Sequence, residues 1–193
     1  MNDYHVVLGA ITVAITIFGY ALYLRSILRG QTKPHPFTWL LFLVLDSTVF
    51  LAQVLHGGGP GAWSMGVGTF FAGLVFLLAL KQGEKRIVRI DWACLTIALL
   101  GVAAWGATNN ALYAVVLASV SDAIAKIPTI RKSYLRPEEE SLSIWSLDIV
   151  RFSLSVVALS SISWTTALFP AEIVFTNAIL VLMILLRRRQ LGS

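Results

Sequence analysis

Seven apolar runs alternate with short polar corners along the chain, and each is of a length suited to a membrane-crossing helix. A helix rises about 1.5 Å per residue, so about 20 residues cover a hydrocarbon core of about 30 Å. On that measure the predicted spans fall at residues 4–24, 37–55, 63–80, 92–107, 111–128, 142–162 and 168–186. No polar stretch is much longer than a dozen residues, which leaves no room for a separate soluble domain. The whole chain, 1–193, is therefore expected to form a single all-α membrane domain.

The corners differ in charge. Thirteen of the fifteen Lys and Arg residues follow the first, third, fifth and seventh runs, and none follows the second, fourth or sixth. Basic loops stay on the cytoplasmic side, so the N-terminus is expected outside and the C-terminus in the cytoplasm. Asp3 precedes the first run and Arg25 follows it. That is the reverse of the charge order in a cleavable signal peptide, so this run is expected to be retained. Residues 56–62 (HGGGPGA) read as an uncharged outer turn, because the Lys-Ser/Thr pair that completes a phosphate-binding loop is missing. In the third run, Gly66, Gly68, Ala72 and Gly73 are expected to let neighbouring backbones approach closely.

Residues 121–152 (SDAIAKIPTIRKSYLRPEEESLSIWSLDIVRF) join two runs through a charged corner, and a weaker copy lies at 19–46. Leu22 precedes Trp39 by 17 residues, as Pro128 precedes Trp145, and Arg25 and Arg131 keep the same offset of 106. Such a period points to two structural halves. Repeat one is expected at about 4–80 and repeat two at about 111–186. The run at 92–107, free of ionisable residues, serves as a linker helix. The fold expected is thus seven transmembrane helices, two parallel three-helix repeats joined by a linker (3+1+3).

Composition agrees with a membrane location. Hydrophobic residues make up 57% of the chain and charged residues 13%, against about 25% charged in soluble domains. The net charge of +5 resides in short corners, so nucleic acid is not an expected partner. Cys94 is the only cysteine, which rules out an intrachain disulfide. His5, His35 and His56 have no second ligand at metal spacing, so neither metal nor cofactor is expected. The location expected is the cytoplasmic membrane of a bacterium.

Three spans, a plain linker span and three more spans with a repeated charged corner resemble the PQ-loop and SWEET transporter superfamily over nearly the whole chain. The proline-glutamine pair of that family stands here as Pro128-Thr129 in the second half and as Leu22-Tyr23 in the first, so only one proline survives. Residues 140–145 (ESLSIW) are similar to the stretch after the family's corner, and Asn177 to the asparagine that lines the SWEET pocket from helix seven. No asparagine answers it in the third run. Trp39 and Trp145 are nearer the cytoplasmic mouth than the tryptophans of sugar-handling members. The resemblance implies two three-helix bundles related by an axis along the membrane normal and a small-molecule substrate.

Several polar residues fall within the runs, where an ionisable group costs a few kcal/mol unless it faces the protein interior or water. Asp46 and Arg151 each lie nine residues from a cytoplasmic end, about 13 Å deep. Two readings stand: walls of a central polar cavity, or an interhelical ion pair that fixes packing. Asp148 and Arg151, three apart, and Asp122 and Lys126, four apart, are spaced to pair along one helix face. Glu172 is expected near the outer end of the seventh span, in contact with interfacial water, and Asn177 near mid-depth. Pro128 is the candidate hinge. Trp39, Trp63, Trp92 and Trp164 are expected to form an interfacial belt.

The leading expectation is a transporter working by alternating access, proton-coupled or for a charged or polar metabolite. A receptor on the same fold that binds without transport is an alternative, as is a uniporter for a sugar or vitamin precursor. The last run has no lysine for a retinal Schiff base, and no nucleophile and base pair suggests an enzyme. The small-molecule substrate and the lipid bilayer are the expected partners, with self-association into a homo-oligomer left open.

Overall fold

A computed structural model describes residues 3–30, 34, 36–82, 89–135, 137 and 142–191. The acidic corner at Glu138, Glu139 and Glu140, and His35 with Lys85 and Arg86 of the basic loops, lie outside the described residues. Those described form α1 (Asp3–Leu28), α2 (Pro36–Leu55), a short 3-10 helix (Gly59–Ala62), α3 (Trp63–Gln82), α4 (Arg89–Thr108), α5 (Ala111–Leu135), α6 (Leu142–Val157) and α7 (Trp164–Leu191).

Four segments, Asp3–Arg25, Pro36–Leu55, Gly59–Lys81 and Trp164–Leu191, are long and apolar enough to cross a membrane, and the chain is an integral membrane protein. The distribution of side chains fits that solvent. Phe18, Phe70, Leu77, Phe175 and Leu182 face outward, whereas Thr12, Thr16, Gln53, Ser64, Ser121, Ser155 and Asn177 are buried. Lipid gives apolar groups no reason to turn inward, so polar contacts and close packing hold the helices together.

α3 packs against both α1 and α2, and α7 against both α5 and α6. Between these sets α1 meets α6 and α2 meets α5, while α4 lies on α5 and α2. The core follows from spacing: Leu41, Leu45, Val49 and Ala52 form one stripe of α2, facing Ala111, Val115 and Ala118 of α5 and Phe169 and Ile173 of α7. Small residues set the distances. A Cβ on Gly66 would stand 2.7 Å from the Phe50 ring, and one on Gly101 3.0 Å from Leu117 Cβ, so α2–α3 and α4–α5 approach as only glycine permits.

The helix ends depart from the hydropathy reading. α1, α5 and α7 run on to Leu28, Leu135 and Leu191, because charged residues beyond the apolar run are solvated without breaking the helix. α5 therefore continues seven residues past Pro128, where the fifth span was expected to end. α6 stops at Val157, five residues before the predicted limit, and α7 starts at Trp164 rather than 168. The cause is a serine-rich corner. The Ser163 N–H donates to Thr166 Oγ1 at 3.0 Å and the Thr166 N–H donates to Ser163 Oγ at 3.2 Å, a reciprocal cap that starts α7 there.

The expected outer turn at 56–62 is wedged into the bundle rather than open. Pro60, Gly61 and Ala62 are buried. The Ser160 N–H donates to Gly58 O at 3.1 Å and Ser155 Oγ to Gly61 O at 2.6 Å. A Cβ on Gly9 of α1 would fall 2.7 Å from the Pro60 carbonyl oxygen, so the wedge also seats on α1.

Pro170 lies inside α7 and has no N–H for the Thr166 carbonyl one turn back. The freed oxygen instead accepts a 2.7 Å hydrogen bond from Nε2 of Gln53, a fully buried residue of α2. Gln53→Leu is expected to leave that carbonyl unpaired and cost about 1–3 kcal/mol. Adding Pro170→Ala, which returns a donor, should recover part of the loss. Thermal unfolding of the two variants in detergent checks both values.

Candidate functional site

The sequence places Asp122 and Lys126 on one face of α5, and α7 brings Glu172 and Thr176, also four apart, against them. Lys126 Nζ lies 2.5 Å from Asp122 Oδ2 and 3.7 Å from Glu172 Oε1, and donates to Thr176 Oγ1 at 2.8 Å. The three charged side chains are between 10% and 13% exposed. Neither oxygen of Glu172 receives a hydrogen bond. The expectation that Glu172 meets interfacial water is thus corrected: the earlier start of α7 places it eight residues in, about 12 Å from the helix end.

A second group lies where α6 meets α1, with Asp46 of α2 in electrostatic range. Arg151 Nη2 is 2.9 Å from Asp148 Oδ1, Nη1 donates to Thr16 Oγ1 at 3.5 Å, and the guanidinium lies 4.2 Å from the Phe152 ring centre. Asp46 is half-buried in α2, within electrostatic range of Arg151, Asp148 and Asp122. It makes no direct ion pair and no hydrogen bond with any described residue. The arginine takes the carboxylate on its own helix, one turn away, rather than the one across the interface. A Cβ on Gly68 of α3 would stand 3.4 Å from Asp46 Oδ2, so the carboxylate seats against α3 at this glycine.

Aromatic rings adjoin this group. Tyr20 stacks on Phe71 at 4.8 Å and meets Trp39 edge-on at 6.1 Å, and Trp39 also packs on Tyr23 and Phe42. Tyr20 lies within electrostatic range of Asp46, Arg151 and Asp148. Trp39 thus packs within an aromatic cluster near the start of α2, while Trp63, Trp92 and Trp164 are 40%, 56% and 71% exposed. Trp39 and Asp46, seven apart, share one stripe of α2.

Asn177 is 1% exposed, and neither Oδ1 nor Nδ2 has a hydrogen-bond partner. Pro128 lies within the α5 backbone. Among the described residues no group of three or more His, Cys, Asp or Glu is arranged to hold a metal. Glu172 and Thr176, and Thr16 and Tyr20, joined these groups without being singled out from the sequence as site residues. Their spacing of four was the available signal, since it puts each pair on one helix face. Comparison of the chain with protein-family profiles, curated proteins and solved structures finds no match.

Proposed function

We propose that the protein is a small-molecule membrane transporter of 3+1+3 architecture that works by alternating access. One observation carries the reading: polar groups converge from the four helices that join the two three-helix sets. Thr16 comes from α1, Asp46 from α2, Asp122 from α5, and Asp148 and Arg151 from α6. Charges held at mid-depth between two halves are costly unless they meet a ligand or each other.

Packing supports the repeat. In each set the third helix lies between the first two, and exchanging the halves carries the α1–α6 contact onto the α5–α2 contact. The seal around the 3-10 helix closes the outer side, so a transport cycle has to part the wedge from Ser160 and Ser155. Asn177 supplies an unpaired amide to the interior, and Pro128 is the proposed hinge of α5. Net flux into proteoliposomes of labelled sugars, amino acids or organic cations tests the proposal. Binding without flux in such a screen supports the receptor alternative.

The proposed orientation makes a separate prediction. In a Cys94→Ser background, His56→Cys is expected to react with an impermeant thiol reagent added outside intact cells, and Lys81→Cys is not. Both positions are exposed, whereas Gly58 is buried with the Gln53 carbonyl 2.9 Å from its would-be Cβ. The opposite labelling pattern refutes the orientation.

A further inference from the structure

Four carboxylates and two bases occupy the middle of the helices: Asp46, Asp122, Asp148 and Glu172 against Lys126 and Arg151. Lys126 is engaged closely by Asp122, and Arg151 by Asp148. Glu172 still has Lys126 at 3.7 Å. Asp46 alone among these carboxylates has no base in direct contact among the described residues. α1 presents Tyr20, α5 presents Asp122, and α6 presents Asp148 and an Arg151 already paired. From α3 comes Gly68, which has no side chain at all. The charged groups around Asp46 are thus mostly acidic, and its Oδ2 seats at a glycine that brings no side chain to pair with it.

Aromatic rings lie about one helical turn away: Phe42 four residues before Asp46, Phe71 three after Gly68, and Tyr20 within electrostatic range. Tyr20, Trp39, Phe42 and Phe71 come from all three helices of the first set, and all are half-buried rather than sealed in the core. A carboxylate without a directly contacting counter-charge, with an aromatic cluster a helical turn away, suits an ammonium group: the carboxylate supplies the charge and the rings a cation–π contact. A neutral sugar would leave the carboxylate uncompensated, and an anion would be repelled by it.

Resting on the transport reading, we infer that the substrate is an organic cation, a primary to quaternary ammonium compound, whose charged head binds Asp46 with Tyr20 and its aromatic neighbours alongside. Charge selects the class, and the rings favour a methylated or aryl-bearing head over a bare inorganic ion.

Ligand-dependent thermal unfolding of the purified full chain tests this without requiring flux. The probes are choline and its uncharged isostere 3,3-dimethylbutan-1-ol, with benzyltrimethylammonium and phenylacetate as a second pair, all at equal concentration. At saturation benzyltrimethylammonium is expected to raise Tm by about 5 °C or more, choline by less, and the neutral and anionic compounds not at all. Asp46→Asn should abolish the response and Asp46→Glu should retain part of it. Tyr20→Leu should weaken it at least about tenfold in apparent affinity, which keeps the test decisive if Asp46→Asn fails to fold. An equal response to the isostere, a response to phenylacetate, no response to either cation, or a full response in Asp46→Asn overturns the inference. Cation binding through Asp46 without flux leaves it standing and removes the transport reading. Flux of a neutral sugar that is indifferent to Asp46 does the reverse.

Discussion

Methionine in place of Lys126 is expected to lower stability by about 3–5 kcal/mol, the cost of leaving a buried charge without its counter-charge. Lys126 is the cation shared by Asp122 and Glu172, with Nζ 2.5 Å from one and 3.7 Å from the other. Without it two carboxylates face each other across α5 and α7. The methionine chain preserves most of the packing volume, so the loss reports charge rather than a cavity. Removing the carboxylates as well, with Asp122→Asn and Glu172→Gln, should recover most of the stability. Thermal unfolding in detergent reads both changes, and an unaltered midpoint for Lys126→Met alone would refute a buried ion triad.

Asp46→Asn is expected to do the opposite, leaving the fold intact while lowering flux at least tenfold. Arg151 keeps Asp148 at 2.9 Å when Asp46 changes, so no charge is stranded. Stability should stay within about 0.5 kcal/mol of the unmodified chain, as for a substitution that breaks no packed or paired contact. A packing role predicts another result: lost stability, regained when Arg151→Gln is added. Flux in proteoliposomes, measured beside unfolding of the same preparations, separates the two. Full transport by a well-folded Asp46→Asn protein removes this residue from the site.

Apolar run length located the helices, because a chain in lipid must satisfy its backbone within each segment and few alternatives exist. The helix limits were less legible. Counting apolar residues through Ser160, Ser161, Ile162 and Ser163 extended α6 over a corner, and the error carried Glu172 toward the outer end of α7. The Ser163 and Thr166 cap was readable as a helix start, but an apolar count gives hydroxyls little weight. For the candidate site, helical spacing was enough for the Asp122–Lys126 and Asp148–Arg151 pairs, which local geometry decides. Depth alone placed Asp46 near Arg151, yet a shared depth does not choose a partner, and the nearer Asp148 takes the guanidinium. The link from Pro170 through Thr166 to Gln53 spans 113 residues between Gln53 and Thr166, so only the packed structure could disclose it.

The short α6 bears on the surrounding lipid as well as on the site. Its 16 residues reach only about 24 Å, against a hydrocarbon thickness of about 30 Å, while α1 and α7 have 26 and 28 residues. The protein therefore presents walls of unequal height. Lipids beside α6 must compress or tilt to meet the serine corner, at a cost of a fraction of a kcal/mol for each ångström of mismatch. Any movement that tilts α6 or parts that corner from the 3-10 helix changes the mismatch. In the proposed transport cycle acyl-chain length would thus become a load on α6, with thicker bilayers favouring whichever conformation presents the taller wall.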